Sequence, residues 1–453
     1  MAVDEPDPPL RPMTGGAVMA AAGRLTVTVT GAATTILVAR MLGPEGTGGF
    51  AIALTLVVML TVVCSLGLEH GIAYYVASGR WAARDALRVA QRVALLSGVA
   101  GAGLCVLVRL AAPSAFGGLS LGSTAVAALA LPFALTWFYV SFVGLAVDRY
   151  EAYVLPAALQ SSVAMVLVAV LVLLADLPGA IVGMAISHVV VALGSALWAR
   201  RRLPAPLAAR DDEPRPLRRA LSFGAKGYGA NALSLLSTRV DLLVLSAVAS
   251  AAAVGHYAIA IAVTAVLWLI PSALSEVLFP RIAALSASGA GDARAFVEAK
   301  SLRFTVLLVL LALPILTAPL LVLVEPVYGA DFHPTIELAL ILLPGVALMG
   351  VSGVLSATIV GRGKPEYSLY IALIVTPLTL LAYALLIPAS DARGAALAKS
   401  LSYVVSFALT VYFYRRVTGS LRLAQFVPGR EELRDLRMLA PQVRQYLANF
   451  RRA

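Results

Sequence analysis

The sequence predicts an all-α polytopic membrane protein of twelve transmembrane helices, arranged as two six-helix, pseudo-symmetric bundles. Three observations carry that expectation. Of 453 residues, 60% are hydrophobic and only 13% are charged. The arginines fall into alternate connecting segments. The second half of the chain repeats short patterns of the first.

A soluble domain is about 45–50% apolar and about 25% charged. With half that charge and a mean hydropathy of +0.89, the chain has far more apolar surface than a soluble core of this length could enclose. The same composition argues against a disordered chain, a disulfide-stapled secreted fold and a nucleic-acid-binding domain. Cys64 and Cys105 are the only cysteines. Placed near opposite membrane faces, about 20 Å apart in depth at about 1.5 Å per helical residue, they are expected to be free, buried thiols. His70, His188, His256 and His333 are scattered without metal-ligand spacing, so neither a metal nor a cofactor is expected. Residues 1–12 are acidic and proline-rich, unlike the basic start of a signal peptide. They read as a cytoplasmic N-terminal segment.

About 20 mostly apolar residues cross a bilayer as a helix. Twelve such stretches are found, at 13–41, 45–68, 86–110, 121–147, 152–175, 179–199, 220–249, 252–279, 301–324, 334–360, 366–387 and 393–414. Between them lie helix-stopping sequences such as Gly43-Pro44-Glu45-Gly46, Leu177-Pro178-Gly179 and Gly361-Arg362-Gly363-Lys364-Pro365. With the N-terminus placed inside, 28 Lys and Arg residues fall in inside segments and two, Arg109 and Arg393, in outside loops. Basic loops stay cytoplasmic, and one missed span would scramble the alternation. Both termini are therefore expected to be cytoplasmic, and most of the +11 net charge is an orientation signal. The bundles become 13–199 and 220–414, joined by a basic cytoplasmic linker at 200–219. A basic tail, 415–453, follows. In it Leu433, Leu436, Leu439, Val443, Leu447 and Phe450 form a helical stripe. That stripe suits either anionic membrane lipid or docking onto the protein, with Pro441 kinking it in both cases.

The duplication shows at two offsets. Gly48-Gly49-Phe50-Ala51-Ile52-Ala53 matches Gly255-His256-Tyr257-Ala258-Ile259-Ala260 at 207, which also aligns Glu69 with Glu276. Gly179-Ala180 and Ser187-His188-Val189-Val190 match Gly394-Ala395 and Ser402-Tyr403-Val404-Val405 at 215. Six spans return the chain to its starting side. The halves therefore share one topology and are expected to be related by an axis along the membrane normal.

The segment Ala39-Arg40-Met41-Leu42-Gly43-Pro44-Glu45-Gly46-Thr47-Gly48-Gly49-Phe50 resembles the first-loop signature of bacterial polysaccharide-biosynthesis membrane proteins. These are the O-antigen-type oligosaccharide flippases of the multidrug/oligosaccharidyl-lipid/polysaccharide (MOP) exporter superfamily. Arg239-Val240-Asp241-Leu242-Leu243-Val244-Leu245, Val254-Gly255-His256-Tyr257 and Gly361-Arg362-Gly363-Lys364-Pro365 are similar to patterns of its second half. The resemblance implies a V-shaped, twelve-helix transporter like the multidrug (MATE) exporters. It would move a polyprenyl-pyrophosphate-linked oligosaccharide to the outer leaflet of the bacterial plasma membrane by alternating access. Polysaccharide polymerases or glycosyltransferases would be partners. Lys399 departs from the family pattern.

A charge inside a bilayer costs about 2.5 kcal/mol or more at the centre, so it faces a cavity or a partner. Arg24, Thr28, Gly31 and Thr35 share one helix face. A guanidinium at the end of a hydroxyl stripe suits a pyrophosphate followed by sugar. The alternative is a snorkelling arginine with threonines bonded back to the helix. Lys226 and Asn231 lie in a glycine-broken stretch, Ser222–Asn231, and Lys226 is either an anion contact or an interfacial cation. Arg239 and Asp241 point to different faces of one helix. Asp241 is either a cation or proton site for coupling, or half of a buried ion pair with another span. Glu69 and Glu276, matched by the repeat, would line an inner gate or stand as interfacial carboxylates.

A multidrug or cation antiporter of the same superfamily would instead need acidic groups in its cavity. An exporter of a teichoic-type or other lipid head group remains open on the same residues. A membrane-embedded polysaccharide polymerase or ligase would need clustered carboxylates or a long external segment. The loops are short, so an enzyme is not expected.

Overall fold

The computed structural model describes residues 13–203, 216–419, 426–429 and 431–434. Among them every regular element is helical: α1 (Met13–Ser65), α2 (Leu68–Ala77), α3 (Ala83–Ala111), α4 (Leu121–Leu129), α5 (Leu131–Ala146), α6 (Tyr150–Arg202), α7 (Pro216–Val248), α8 (Ala251–Thr264), α9 (Val266–Ala287), α10 (Gly291–Tyr328), α11 (Pro334–Gly361) and α12 (Glu366–Thr418), with short 3-10 turns after α3 and α10.

Labelled helices and spans do not correspond one to one. Three of the longest helices contain a sharp internal break that divides each into two spans: Gly43 in α1, Ala175 and Asp176 in α6, and Ser390 and Asp391 in α12. α4 with α5, and α8 with α9, are each one span with a bend, at Ala130 and Ala265. Adding α3, α7, α10 and α11 gives twelve spans. In α1 the break lies where the Gly43-Pro44 signal places it, but in α6 it falls at Ala175 and Asp176, just ahead of Leu177-Pro178-Gly179, and the turns are tighter than loops. One or two residues out of helical geometry reverse the chain.

Some spans run further than the sequence suggests. The second continues past a left-handed break at Leu66 and Gly67 (φ 56° and 70°) as α2, to Ala77. Residue 64 is therefore well inside the span. Cys64 Sγ packs against Gly101, one turn before Cys105. The two thiols, free and buried as expected, are closer in depth than the span boundaries implied.

The chain forms two compact units, 1–232 and 233–453, with the division inside α7. In the first unit the start of α7 packs tightly on α2. A Cβ on Gly71 would stand 2.1 Å from the Ala220 carbonyl oxygen, and one on Gly224 2.0 Å from that of Gly67. The rings of Tyr74 and Phe223 stack with centroids 4.4 Å apart. The core there is built from Leu68, Ile72, Ala86, Ala90, Leu131, Leu135 and Tyr139. In the second unit, Leu278, Ile282 and Val354 form a smaller cluster of α9 and α11.

The duplication is visible in the backbone. α6 and α12 are both 53 residues long. Their breaks coincide at the 215 offset: Asp176 has φ 47°, ψ −134° and Asp391 has φ 48°, ψ −128°. Few non-glycine residues adopt positive φ, and aspartate is among those that do so most readily. Three residues on, Gly179 and Gly394 each let the two arms approach. A Cβ would come within 1.9 Å of the carbonyl oxygens of Leu171 and Leu386, again 215 apart. Asp148 and Gly363, also so related, both have positive φ.

Candidate functional site

The first unit presents Arg24 and Thr28 on the exposed face of α1, with Thr35 half-buried. The hydroxyls of Thr28 and Thr35 donate to the carbonyls of Arg24 and Gly31, at 2.9 and 2.8 Å. Thr30, which the sequence reading passed over, bonds to Ser161 of α6. The stripe is thus a run of locally satisfied hydroxyls beside an exposed guanidinium. It offers acceptor lone pairs and one fixed positive charge to a polar ligand. The side chains of Lys226 and Asn231 lie outside the described residues.

Glu69 and Glu276 have diverged despite their matched positions. Glu69 is buried at the start of α2, where the helix restarts after its left-handed break. Glu276 is exposed within the unbroken α9. Cavities open among the described residues of this unit. An apolar one of about 320 Å³ lies between α5 and the two arms of α6, lined by Val140, Leu155, Leu159, Val191 and Trp198. A basic one of about 270 Å³ is lined by Arg84, Arg88, Gln91 and Arg200.

The second unit holds a buried polar cluster. Asp241 of α7 is fully buried, and its Oδ2 accepts from Lys399 Nζ and from the Tyr257 hydroxyl, both at 2.6 Å. Its Oδ1 accepts from the Leu242 amide at 2.9 Å. Lys399, on the second arm of α12, also donates to the Thr238 carbonyl at 3.0 Å. Tyr257 of α8 and Tyr383 of α12 are buried around the pair. Arg239, two residues from Asp241, points outward and is exposed. Of the two readings of Asp241, the geometry is that of an ion pair with another span. Sequence reasoning named each charge but did not join them. Two opposite charges within the spans of one half, each needing a partner, was the signal that could have done so. The carboxylate already has three donors, so the cluster fixes α7, α8 and α12 to one another.

At the end of this unit, Arg362 grips Glu298 of α10 with Nε (2.8 Å) and Nη2, and its Nη1 donates to the Val417 carbonyl near the end of α12. The fork to Glu298 is the main force raising the Arg362 pKa above its ordinary value, against burial. Arg303 of α10 meets Glu432 of the tail at 2.7 Å. The rest of the tail stripe, from Leu436 to Phe450, lies outside the described residues.

Residues 15–286 match the family described as "Polysaccharide biosynthesis protein". The fold is similar to that of a lipid II flippase, MurJ, in an inward closed conformation, with a TM-score of 0.71 at 13% identity, over 91% of this chain and 89% of that one. It is also similar to a multidrug resistance MATE family transporter of the MOP superfamily in its inward-facing conformation (TM-score 0.64, 18% identity, 87% of this chain and 96% of that one). A MOP superfamily transporter from Pyrococcus furiosus shares the fold at a TM-score of 0.58 and 16% identity, over 90% and 95% of the two chains. No curated protein matches the sequence significantly.

Proposed function

Because the chain belongs to the polysaccharide biosynthesis protein family of MOP-type membrane transporters, we propose that it is a flippase for a lipid-linked oligosaccharide or polysaccharide precursor. The substrate is polyprenyl-pyrophosphate-linked and moves from the inner to the outer leaflet of a bacterial plasma membrane by alternating access. Both termini are cytoplasmic. The protein carries out transport and no bond-making chemistry.

The observation that carries this reading is the family match over spans 1 to 8, joined to a duplicated twelve-span fold. In α1, Arg24 supplies a guanidinium for the pyrophosphate, whose planar fork suits phosphate oxygens. Thr28 and Thr35 supply acceptors for sugar hydroxyls. Lys226, Asn231 and Arg239 are further polar groups for the substrate, and Glu69, Asp241 and Glu276 act on gating or coupling. For Asp241 the gating role is favoured over cation coupling, since Lys399 already neutralises it. That pairing also weighs against a multidrug or cation antiporter working through this carboxylate.

The test is export in a strain lacking its own flippase. A cation hydrogen-bonded to pyrophosphate contributes about 1.5–3 kcal/mol, so Arg24→Ala and Lys226→Ala should each lower export about tenfold or more at unchanged membrane content. Arg24→Lys should be milder. Full complementation by both alanine variants removes these cations from the transport path.

A further inference from the structure

We propose that the basic cavity of the first unit, between the start of α3 and the end of α6, is a binding site for the phosphate of an anionic phospholipid. The proposal rests on the membrane-spanning reading of these helices but not on the identity of the transported substrate.

The cavity, of about 270 Å³, is lined by Arg84, Arg88 and Gln91 of α3, by Ala199, Arg200 and Leu203 of α6, and by Leu87. Three arginines and a glutamine, all able to donate, thus line one volume. Arg84 is fixed in place. Its Nε and Nη2 both donate to the Leu203 carbonyl, at 3.2 and 2.9 Å, tying the start of α3 to the end of α6. Arg88 is held by Asp85 at 2.6 Å with its side chain two-thirds exposed. Arg200 is exposed. With Asp85 included, the described residues of the site carry an excess of two positive charges. The positive end of the 29-residue α3, whose first turn has no side-chain cap, adds to that potential.

The position selects a lipid over a free anion. Along the same two helices, on the side toward the membrane interior, Leu95, Leu96 and Val99 of α3 and Leu193 and Leu197 of α6 are all exposed apolar residues. A phosphodiester seated among the arginines would lay its acyl chains along those leucines. Basic pockets between helix ends are how membrane proteins hold anionic head groups. The excess of positive charge favours a lipid with net negative charge, such as phosphatidylglycerol. A zwitterionic one would bring an ammonium into the same field.

The experiment uses the full-length protein in detergent and native mass spectrometry, with phosphatidylglycerol and phosphatidylcholine added at equal concentrations. Wild type should retain a phosphatidylglycerol adduct at least about tenfold more than phosphatidylcholine. Charged hydrogen bonds are the strongest available to a phosphate, so Arg88→Gln/Arg200→Gln should lose at least about tenfold of that adduct. Arg92→Gln/Arg202→Gln removes the same charge from the same helices outside the cavity and should keep it. Arg84 is left intact because it braces Leu203. Equal loss in both double variants, equal retention of the two lipids, or no adduct in wild type overturns the proposal. So does displacement of the lipid by inorganic phosphate at matched concentration, which would make the site one for a free anion.

Discussion

The two units share a backbone plan and differ in what they bury. Their helical hairpins, α6 and α12, break at equivalent aspartates and pack through equivalent glycines. At the 207 and 215 offsets, however, Asp241, Tyr257, Tyr383 and Lys399 of the second unit correspond to Thr34, Phe50, Val168 and Met184 of the first. All four residues of the first unit are buried, and none is charged. Thr34 satisfies its hydroxyl on the Thr30 carbonyl in its own helix. Where the first unit closes its core with side-chain volume, the second uses an ion pair and a phenol. Backbone reversals depend on local sterics that few residues satisfy, so they resist change. A buried contact can be rebuilt with different chemistry once both partners change together.

The largest test of that contrast is to remove one partner. Lys399→Ala leaves Asp241 buried with an uncompensated charge, and breaking a buried pair costs about 3–5 kcal/mol. Thermal unfolding in detergent should fall accordingly. The double variant Asp241→Asn/Lys399→Met, which moves the second unit toward the chemistry of the first, should recover most of the loss. If the double variant is as unstable as the single one, the cluster is not an exchangeable substitute for apolar packing.

A smaller and equal effect is expected where the units agree. Gly179→Ala and Gly394→Ala each force a Cβ into a carbonyl oxygen 1.9 Å away, and overpacking of this kind costs about 1–3 kcal/mol. Melting curves of the two variants should drop by similar amounts. A harmless change at one site and a costly one at the other would show that the hinges have diverged as well.

The smallest effect concerns the ends of the two hairpins. Arg84 caps the carbonyl of Leu203 just after α6, and Arg362 caps that of Val417 in α12. The second unit adds the Arg303–Glu432 contact with the tail. Burial pushes the Glu432 carboxyl up, but the amides of Gly429 and Glu432 and the Arg303 guanidinium together outweigh it, and the pKa sits below the ordinary 4.5. A depressed carboxylate pKa stabilises docking above pH 4.5, and that contribution is lost as pH falls through the lower docked value. A spin label at Val427 should be immobile at neutral pH and loosen below about pH 4.5. In Arg303→Gln it should be looser throughout, with a weaker pH response. A label in Arg303→Gln that keeps the wild-type profile would detach the tail from this ion pair.

Much of this fold is legible in the residues. Apolar length, Gly-Pro punctuation and arginine alternation lead to twelve spans because the bilayer imposes one length on every helix. The repeat is readable at Gly179 and Gly394 because each glycine is required by a carbonyl in the facing arm. Asp176 and Asp391 as the reversing residues were less legible, since proline and glycine beside them carry the obvious turn signal. The pairing of Asp241 with Lys399 joins positions 158 residues apart, and no periodicity links such positions. Glu69 and Glu276 looked alike because the sequence match does not register the break at Leu66 and Gly67 that buries only the first. The stripe of Arg24, Thr28 and Thr35 was visible as a helix face. Its local hydrogen bonds follow from threonine chemistry that operates on any helix.

The breaks at Asp176 and Asp391 also bear on how the protein is made. A 53-residue helix reversed over two residues leaves no loop long enough for its two arms to be handled separately during synthesis. In the proposed orientation, with both termini cytoplasmic, each arm pair is expected to insert as a single hairpin with its apical aspartate at the tip that crosses the bilayer. The last two spans of each half would then be delivered together, in a step of two helices rather than one.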